Sequence, residues 1–237
     1  MNKYLLDKKS RPIYRLLILL LTSCNGLTNQ IIINPIDSTK IGKVRNVLIL
    51  GNSIVRHPPN PGIGWNNDWG MAATTKDSDF VHILLHAIKQ KDDSIAIHFE
   101  NIAGFESDYT SYPLSALDSF RNPDLLIIKI GENVDGRKTV DSDFIFHYDK
   151  LVNWIDPGKK SVKIIIDGFW DNPGVNDKIK KYAVDHQYPF VTTTDLSQDT
   201  TNEARGRYEN KAVAIHPSDK GMRMIAERIW AYMKVYF

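Results

Sequence analysis

The chain has 237 residues, 42% of them hydrophobic and 24% charged, a globular composition that excludes a fibrous or disordered protein. Its formal charge of +2 is concentrated at the start: residues 1–23 hold five of the 30 basic side chains and one of the 28 acidic ones, leaving 25 against 27 in the remainder. A body so close to neutral has no electrostatic footprint for nucleic acid, and no nucleic-acid partner is expected.

The first predicted element is an address label. Basic residues Lys3, Lys8, Lys9, Arg11 and Arg15 precede the apolar run Leu16-Leu17-Ile18-Leu19-Leu20-Leu21. That run is far shorter than the roughly 20 residues needed to span a bilayer, and the layout is that of a secretory signal. Leu21-Thr22-Ser23-Cys24 resembles the bacterial lipobox, which implies cleavage before Cys24 and acylation of its sulfur. Cys24 is the only cysteine, so no internal disulfide can form, and a lone thiol in an exported protein needs such an explanation. Two or three acyl chains would hold the protein stably on a membrane. The stretch up to about residue 43, rich in Asn, Thr and Ser, reads as a tether.

From Val44 onward, short apolar runs alternate with helical patterns. Strands are expected at residues 47–50, 95–99, 125–128, 162–166 and, more weakly, 190–192. Helices are expected at 80–91, 144–155, 176–185 and 219 to about 234, the last capped by Ser218 behind Pro217. Several strands are unbroken runs of Leu, Ile and Val, which suits burial on both faces of a parallel sheet. The expected fold is therefore α/β, three layers α/β/α, with about five parallel strands. Ligands of such sheets bind beyond the carboxyl ends of the strands.

The polar chemistry follows those ends. Gly51-Asn52-Ser53 succeeds the first strand, Asn101-Ile102-Ala103-Gly104-Phe105-Glu106 the second, and Gly131-Glu132-Asn133 the third, while His216 stands before the last helix. A serine becomes a nucleophile when an imidazole takes its proton, and the resulting oxyanion needs preorganised donors. Asn133 offers an amide; the N–H groups of Ser53 and of the turn from Gly104 to Glu106 could offer others.

These residues resemble the SGNH (GDSL-like) hydrolases, esterases and lipases on a flavodoxin-like fold. Gly51-Asn52-Ser53 looks like their first block, Gly131-Glu132-Asn133 like the third, and His216-Pro217 like the fifth; Asp68-Trp69-Gly70-Met71-Ala72-Ala73 is similar to a stretch of a bacterial branch. The resemblance implies Ser53 as nucleophile, His216 as general base and then acid, and Asn133 as an oxyanion-hole side chain. It covers residues 44–237, leaving 1–23 as lipoprotein signal and 24–43 as tether. Two departures stand out. Val213 occupies the usual place of the aspartate that orients the histidine, so either a backbone carbonyl orients His216 or a carboxylate from Glu106, Asp195, Glu209 or Asp219 does. Glu106 falls where the second block has glycine, with Gly104 two residues early, and either could supply the oxyanion-hole N–H.

Trp65 and Trp69 lie in the long loop after the nucleophile, and Trp170 follows the fourth strand; they suit stacking on sugar rings or packing within their loops. His57 could line the mouth of the site. His82 and His86, one turn apart, lack a third ligand and read as structural. No metal or organic cofactor is called for. The expected activity is hydrolysis of acyl esters, O-acetyl above all, on carbohydrate by an exported, membrane-anchored lipoprotein at the outer membrane or periplasmic face. A lipid or lysophospholipid esterase and a catalytically weak glycan-binding lipoprotein are the alternatives.

Overall fold

Parallel strands fix the architecture. In the computed structural model, which describes residues 43–136 and 143–237, β1 (Asn46–Gly51), β2 (Ala96–Asn101), β3 (Leu125–Lys129), β4 (Val162–Ile166) and β5 (Phe190–Val191) form one sheet in the order β2-β1-β3-β4-β5, with every pair parallel. The expected signal segment, Cys24 and the tether up to residue 42 lie outside the described residues.

The helices are α1 (Phe80–Lys89), α2 (Ala103–Ser107), α3 (Phe144–Ile155), α4 (Pro173–Asp185), α5 (Lys211–Ala214) and α6 (Asp219–Met233). Right-handed crossovers place helices on opposite faces when the direction of strand addition reverses. Here the chain moves one way from β1 to β2 and the other way from β3 through β5. α1 packs with α6 on one face, and α3 packs with α4 on the other. The expected three-layer α/β/α fold is thus present.

Alternation of side chains across each strand feeds both layers. Val47, Ile49, Leu125, Ile127, Ile164 and Ile166 join Phe80, Leu84 and Ile88 of α1 and Met222, Ile225 and Ile229 of α6 in one core cluster. Each such buried aliphatic contributes roughly 1.5–3 kcal/mol. β1 is buried from its second residue, and β3 and β4 throughout, whereas β2, at the sheet edge, is only partly covered.

Several boundaries differ from the sequence reading. α4 begins at Pro173, three residues early, because proline is tolerated in the first helical turn, where its missing N–H is unneeded. The glycine-bearing turn after β2 is the short helix α2, and α5 was not expected at all; both are too short to show a helical period. Ser218 does cap α6, its side chain accepting from Gly221 N.

One cap carries more than its helix. Asp79, fully buried, accepts from the backbone of His82 (2.7 Å), from His82 Nδ1 (2.8 Å) and from Gly70 N (3.0 Å). It ties the start of α1 to the loop that follows Ser53. Replacing Asp79 by Ala strands a buried Gly70 N–H as well as removing the cap, and should cost about 3 kcal/mol in urea unfolding. A loss under about 0.5 kcal/mol would show that the cap is dispensable.

Candidate active site

The site forms where the strand order reverses, between β1 and β3, the place where open α/β sheets leave a crevice. A cavity of about 580 Å³ there is lined by Ser53, His57, Asn101, Asn133, Trp170, Val213 and His216, among others.

Ser53 projects from the turn that closes β1. The turn is sharp because Gly51 has no side chain: a Cβ there would stand 2.2 Å from Val55 Cγ2 and 2.9 Å from the Lys129 carbonyl. Asn52 Oδ1 accepts from Ile54 N at 3.1 Å, and the Asn52 carbonyl accepts from Val55 N and Arg56 N. The stretch from Asp68 to Ala73 braces this turn from outside. Arg56 forms a two-pronged ion pair with Asp68, both contacts at 2.8 Å; Met71 N donates to the Ser53 carbonyl at 2.8 Å, and His57 N to the Trp69 carbonyl at 2.9 Å.

Ser53 Oγ lies 2.9 Å from His216 Nε2. On the far side of the ring, Nδ1 is 2.7 Å from the Ala212 carbonyl. A carbonyl can only accept, so Nδ1 carries the proton and Nε2 presents its lone pair to the serine. The last carbonyls of a helix lack amide partners, and Ala212, in α5, gives its carbonyl to the imidazole. Of the carbonyl and carboxylate alternatives, the structure therefore has the carbonyl. Val213 is buried with Trp65, Met71, Ala72 and Ala204, surroundings in which an unpaired carboxylate would be costly. Burial pushes the His216 pKa down to about 4, the nearby His57 adds to the lowering, and the Ala212 carbonyl opposes it. Trp170 meets the imidazole edge-on, ring centres 5.0 Å apart, and donates from Nε1 to the Ile215 carbonyl at 3.3 Å.

None of the four carboxylates considered as orienting partners reaches His216. Asp195 pairs with Arg228 at 2.5 and 2.8 Å, Asp219 holds the Thr74 backbone and hydroxyl, and Glu209 is exposed. Glu106 turns the other way. Its buried carboxylate accepts from Gly131 N at 2.6 Å, from Asn133 N at 3.4 Å, from Asn133 Nδ2 at 2.6 Å and from Asn52 Nδ2 at 3.1 Å. Desolvation, reinforced by the charge of Glu132, pushes its pKa up.

Beneath lies a charged group that the sequence reading missed. Lys129, fully buried, ion-pairs with Glu132. Glu132 also accepts from Asn52 Nδ2 at 2.8 Å and from Phe169 N at 3.0 Å. The signal was a lysine ending the apolar run Leu-Leu-Ile-Ile, since a lysine buried in a strand needs a paired acid. The same group gives a physical reason for asparagine at position 52. Two carboxylates already meet there, and the amide supplies an N–H to each where an aspartate would add a third charge.

The remaining expected residues divide. His57 lines the cavity and donates from Nδ1 to the Pro58 carbonyl at 2.7 Å. Trp170 lines it too, but Trp69 does not. Trp69 bonds the Ala73 carbonyl at 3.0 Å and meets the fully buried Trp65 edge-on at 5.9 Å. These two tryptophans pack the loop, because each indole N–H finds its acceptor inside it. Gly104 sits in the first turn of α2 beside cavity-lining Ala103. Among the described residues, the N–H groups of Ser53 and Gly104 donate to no protein acceptor, whereas that of Ala103 is taken by Asn101 Oδ1. Also among the described residues, no cluster of His, Cys, Asp or Glu could hold a metal ion; His82 is held by Asp79 and packs on Phe99.

No family model matches the sequence, and no curated protein does. Solved structures do resemble the fold. A two-domain esterase active on acetylated mannans, co-crystallised with mannopentaose, aligns over 84% of this chain with a TM-score of 0.51 and 20% identity. This chain spans about half of that protein's length, 52%. The psychrotrophic esterase EstA from Pseudoalteromonas sp. aligns over 80% of this chain and 97% of its own, with a TM-score of 0.51 and 13% identity. TesA gives 81% and 99%, with a TM-score of 0.50 and 13% identity. The likeness is one of fold.

The carboxylate cluster makes a testable demand on position 52. Asn52→Asp forces a third carboxyl against Glu106 and Glu132, raising folded-state pKa values above the unfolded ones. The penalty is then present above the folded pKa and fades as pH falls through it. Urea unfolding should show the variant about 3 kcal/mol less stable than wild type at pH 8 and the gap narrowing by pH 5. An unchanged gap would mean that the three groups do not interact.

Proposed function

We propose that the protein is a serine esterase that removes acyl groups, O-acetyl in the first place, from carbohydrate. The observation that carries this reading is the 2.9 Å contact between Ser53 Oγ and a His216 Nε2 whose tautomer is fixed by the Ala212 carbonyl. In the proposed reaction Nε2 takes the serine proton as Oγ attacks the ester carbonyl. The carbonyl oxygen becomes an oxyanion, received by the Asn133 amide and by the N–H groups of Ser53 and Gly104. Collapse expels the sugar alkoxide, which leaves with the proton from Nε2, and Ser53 keeps the acyl group. Water, deprotonated by the same nitrogen, then releases the carboxylic acid and restores the serine.

A carbonyl in place of aspartate keeps the productive tautomer but gives up a full charge opposite the imidazolium. Loss of both has cost about 10⁴ in kcat in a serine protease triad; here only the charge is forgone. The carbohydrate assignment is supported by Trp170 and His57 on the cavity wall beside Asn101, Asn133 and Asn210, and by the acetylated-mannan activity of the two-domain esterase that shares the fold. The proposed setting is an exported lipoprotein at the outer membrane or periplasmic face, with Cys24 as the acylated anchor.

The purified domain should hydrolyse p-nitrophenyl acetate, and Ser53→Ala should lower kcat at least 10³-fold; equal rates would reject Ser53 as the nucleophile. Acetyl esters should be preferred over octanoyl, and the reverse order would favour a lipid substrate. Cells fed an alkyne-tagged fatty acid should label the wild-type protein and not Cys24→Ala; equal labelling would dispose of the anchor.

A further inference from the structure

Four N–H groups converge on one buried carboxylate. Three come from the loop after β3, namely Gly131 N (2.6 Å), Asn133 N (3.4 Å) and Asn133 Nδ2 (2.6 Å). The fourth, Asn52 Nδ2 at 3.1 Å, comes from the residue beside the serine. Glu106 is 1% exposed and touches neither Ser53 nor His216 through any hydrogen bond among the described residues. An ionised carboxylate offers about four acceptor positions, so its capacity is filled by the two turns that the chemistry needs held together.

We infer that Glu106 is the positioning residue of the oxyanion hole, acting through Asn133. An asparagine amide on a loop is free to rotate about its side-chain bonds. Once one N–H of Nδ2 is held by Glu106, the amide plane is set, and the second N–H has a fixed direction in the cavity that Asn133 lines. Gly131 assists: at φ +135°, a conformation that favours glycine, it turns its own N–H onto the same carboxylate. Asn52 bridges Glu106 to Glu132, and Lys129 balances Glu132 from below. The distance between nucleophile and oxyanion donor is thus set by a charged cluster outside the reacting atoms. This role presupposes the esterase reading.

A gap in hydrogen bonding explains why the acid is used. Glu106→Gln keeps the shape but turns an N–H toward Asn133 Nδ2 or toward the backbone donors, and at least one of them loses its acceptor. The groups that face Glu106 are all donors apart from Glu132, whose charge, with burial, pushes the Glu106 pKa up. Lys129, Asp167 at the end of β4, and His57 and His216 across the cavity complete the titratable surroundings.

The test is a double-mutant cycle on p-nitrophenyl acetate with Glu106→Gln, Asn133→Ala and the pair, beside Ser53→Ala. Asn133→Ala should lower kcat about 10²-fold and Glu106→Gln by about 10- to 10²-fold, each with KM within about threefold. The pair should fall no more than about threefold below Asn133→Ala alone, because both changes disable one device. As pH falls, wild-type kcat should also decline in a step lying above the pH at which His216 titrates, because protonated Glu106 no longer accepts from all four donors, and that step should be missing in Glu106→Gln. Additive losses in the pair, or an unchanged kcat in Glu106→Gln, would overturn the positioning role while leaving Ser53-dependent hydrolysis intact. Hydrolysis indifferent to Ser53→Ala would overturn the esterase reading and this role with it. Should Glu106→Gln fail to fold by circular dichroism, Glu106→Asp, which keeps the charge and withdraws it by one methylene, enters the same cycle with the same non-additivity expected.

Discussion

The hydrogen bond between Ser53 and His216 joins groups 163 residues apart in the chain, and the reversal of strand order is what lets it form. β1 lies inside the sheet, so its carboxyl end has β2 on one side and β3 on the other. The loop after β3 brings Asn133 alongside Ser53, and α6, packed against α1, brings the segment before it across the strand ends. Any topology that moved β1 to an edge would leave the serine without one of its neighbours.

The imidazole is held in an economical way. A four-residue helix, capped at its start by Asn210, ends just before His216 and gives it a carbonyl that helical geometry leaves over. That carbonyl selects the tautomer as firmly as a carboxylate would, since it has no proton to offer. It supplies less charge, and the buried ring is correspondingly reluctant to become a cation. The space a carboxylate would occupy is given to Val213 and to the packing of Trp65, Met71 and Ala72, which supports the loop bracing the serine turn.

Charge reappears one layer down. Glu106, Glu132 and Lys129 sit out of water between β1, α2 and β3, where unpaired ions would cost several kcal/mol each. Their arrangement answers that cost with partners from several segments: the amides of Asn52 and Asn133, backbone N–H groups from the loops after β3 and β4, and an ammonium at the end of β3. Buried polar groups so completely satisfied hold their surroundings in one arrangement, and here the surroundings are the two turns flanking the cavity.

The layers and strand positions were legible in the sequence because apolar runs of Leu, Ile and Val at regular spacing can be buried in few ways. The serine, asparagine and histidine were legible because each stands at a strand end or before a helix cap. The short helices α2 and α5 were not, since four or five residues show no period. Nor was the direction of Glu106, which spacing alone allows to face either the imidazole or the asparagine. Trp69 and Trp170 read alike as loop aromatics, yet one fills its own loop and the other reaches the cavity wall. The sequence by itself determined which residue types reach the carboxyl edge of the sheet, because hydrophobic burial dictates where each strand stops. Only the tertiary structure decided which of them touch, because a hydrogen bond depends on ångström distances and directions set by the packing of segments far apart in the chain.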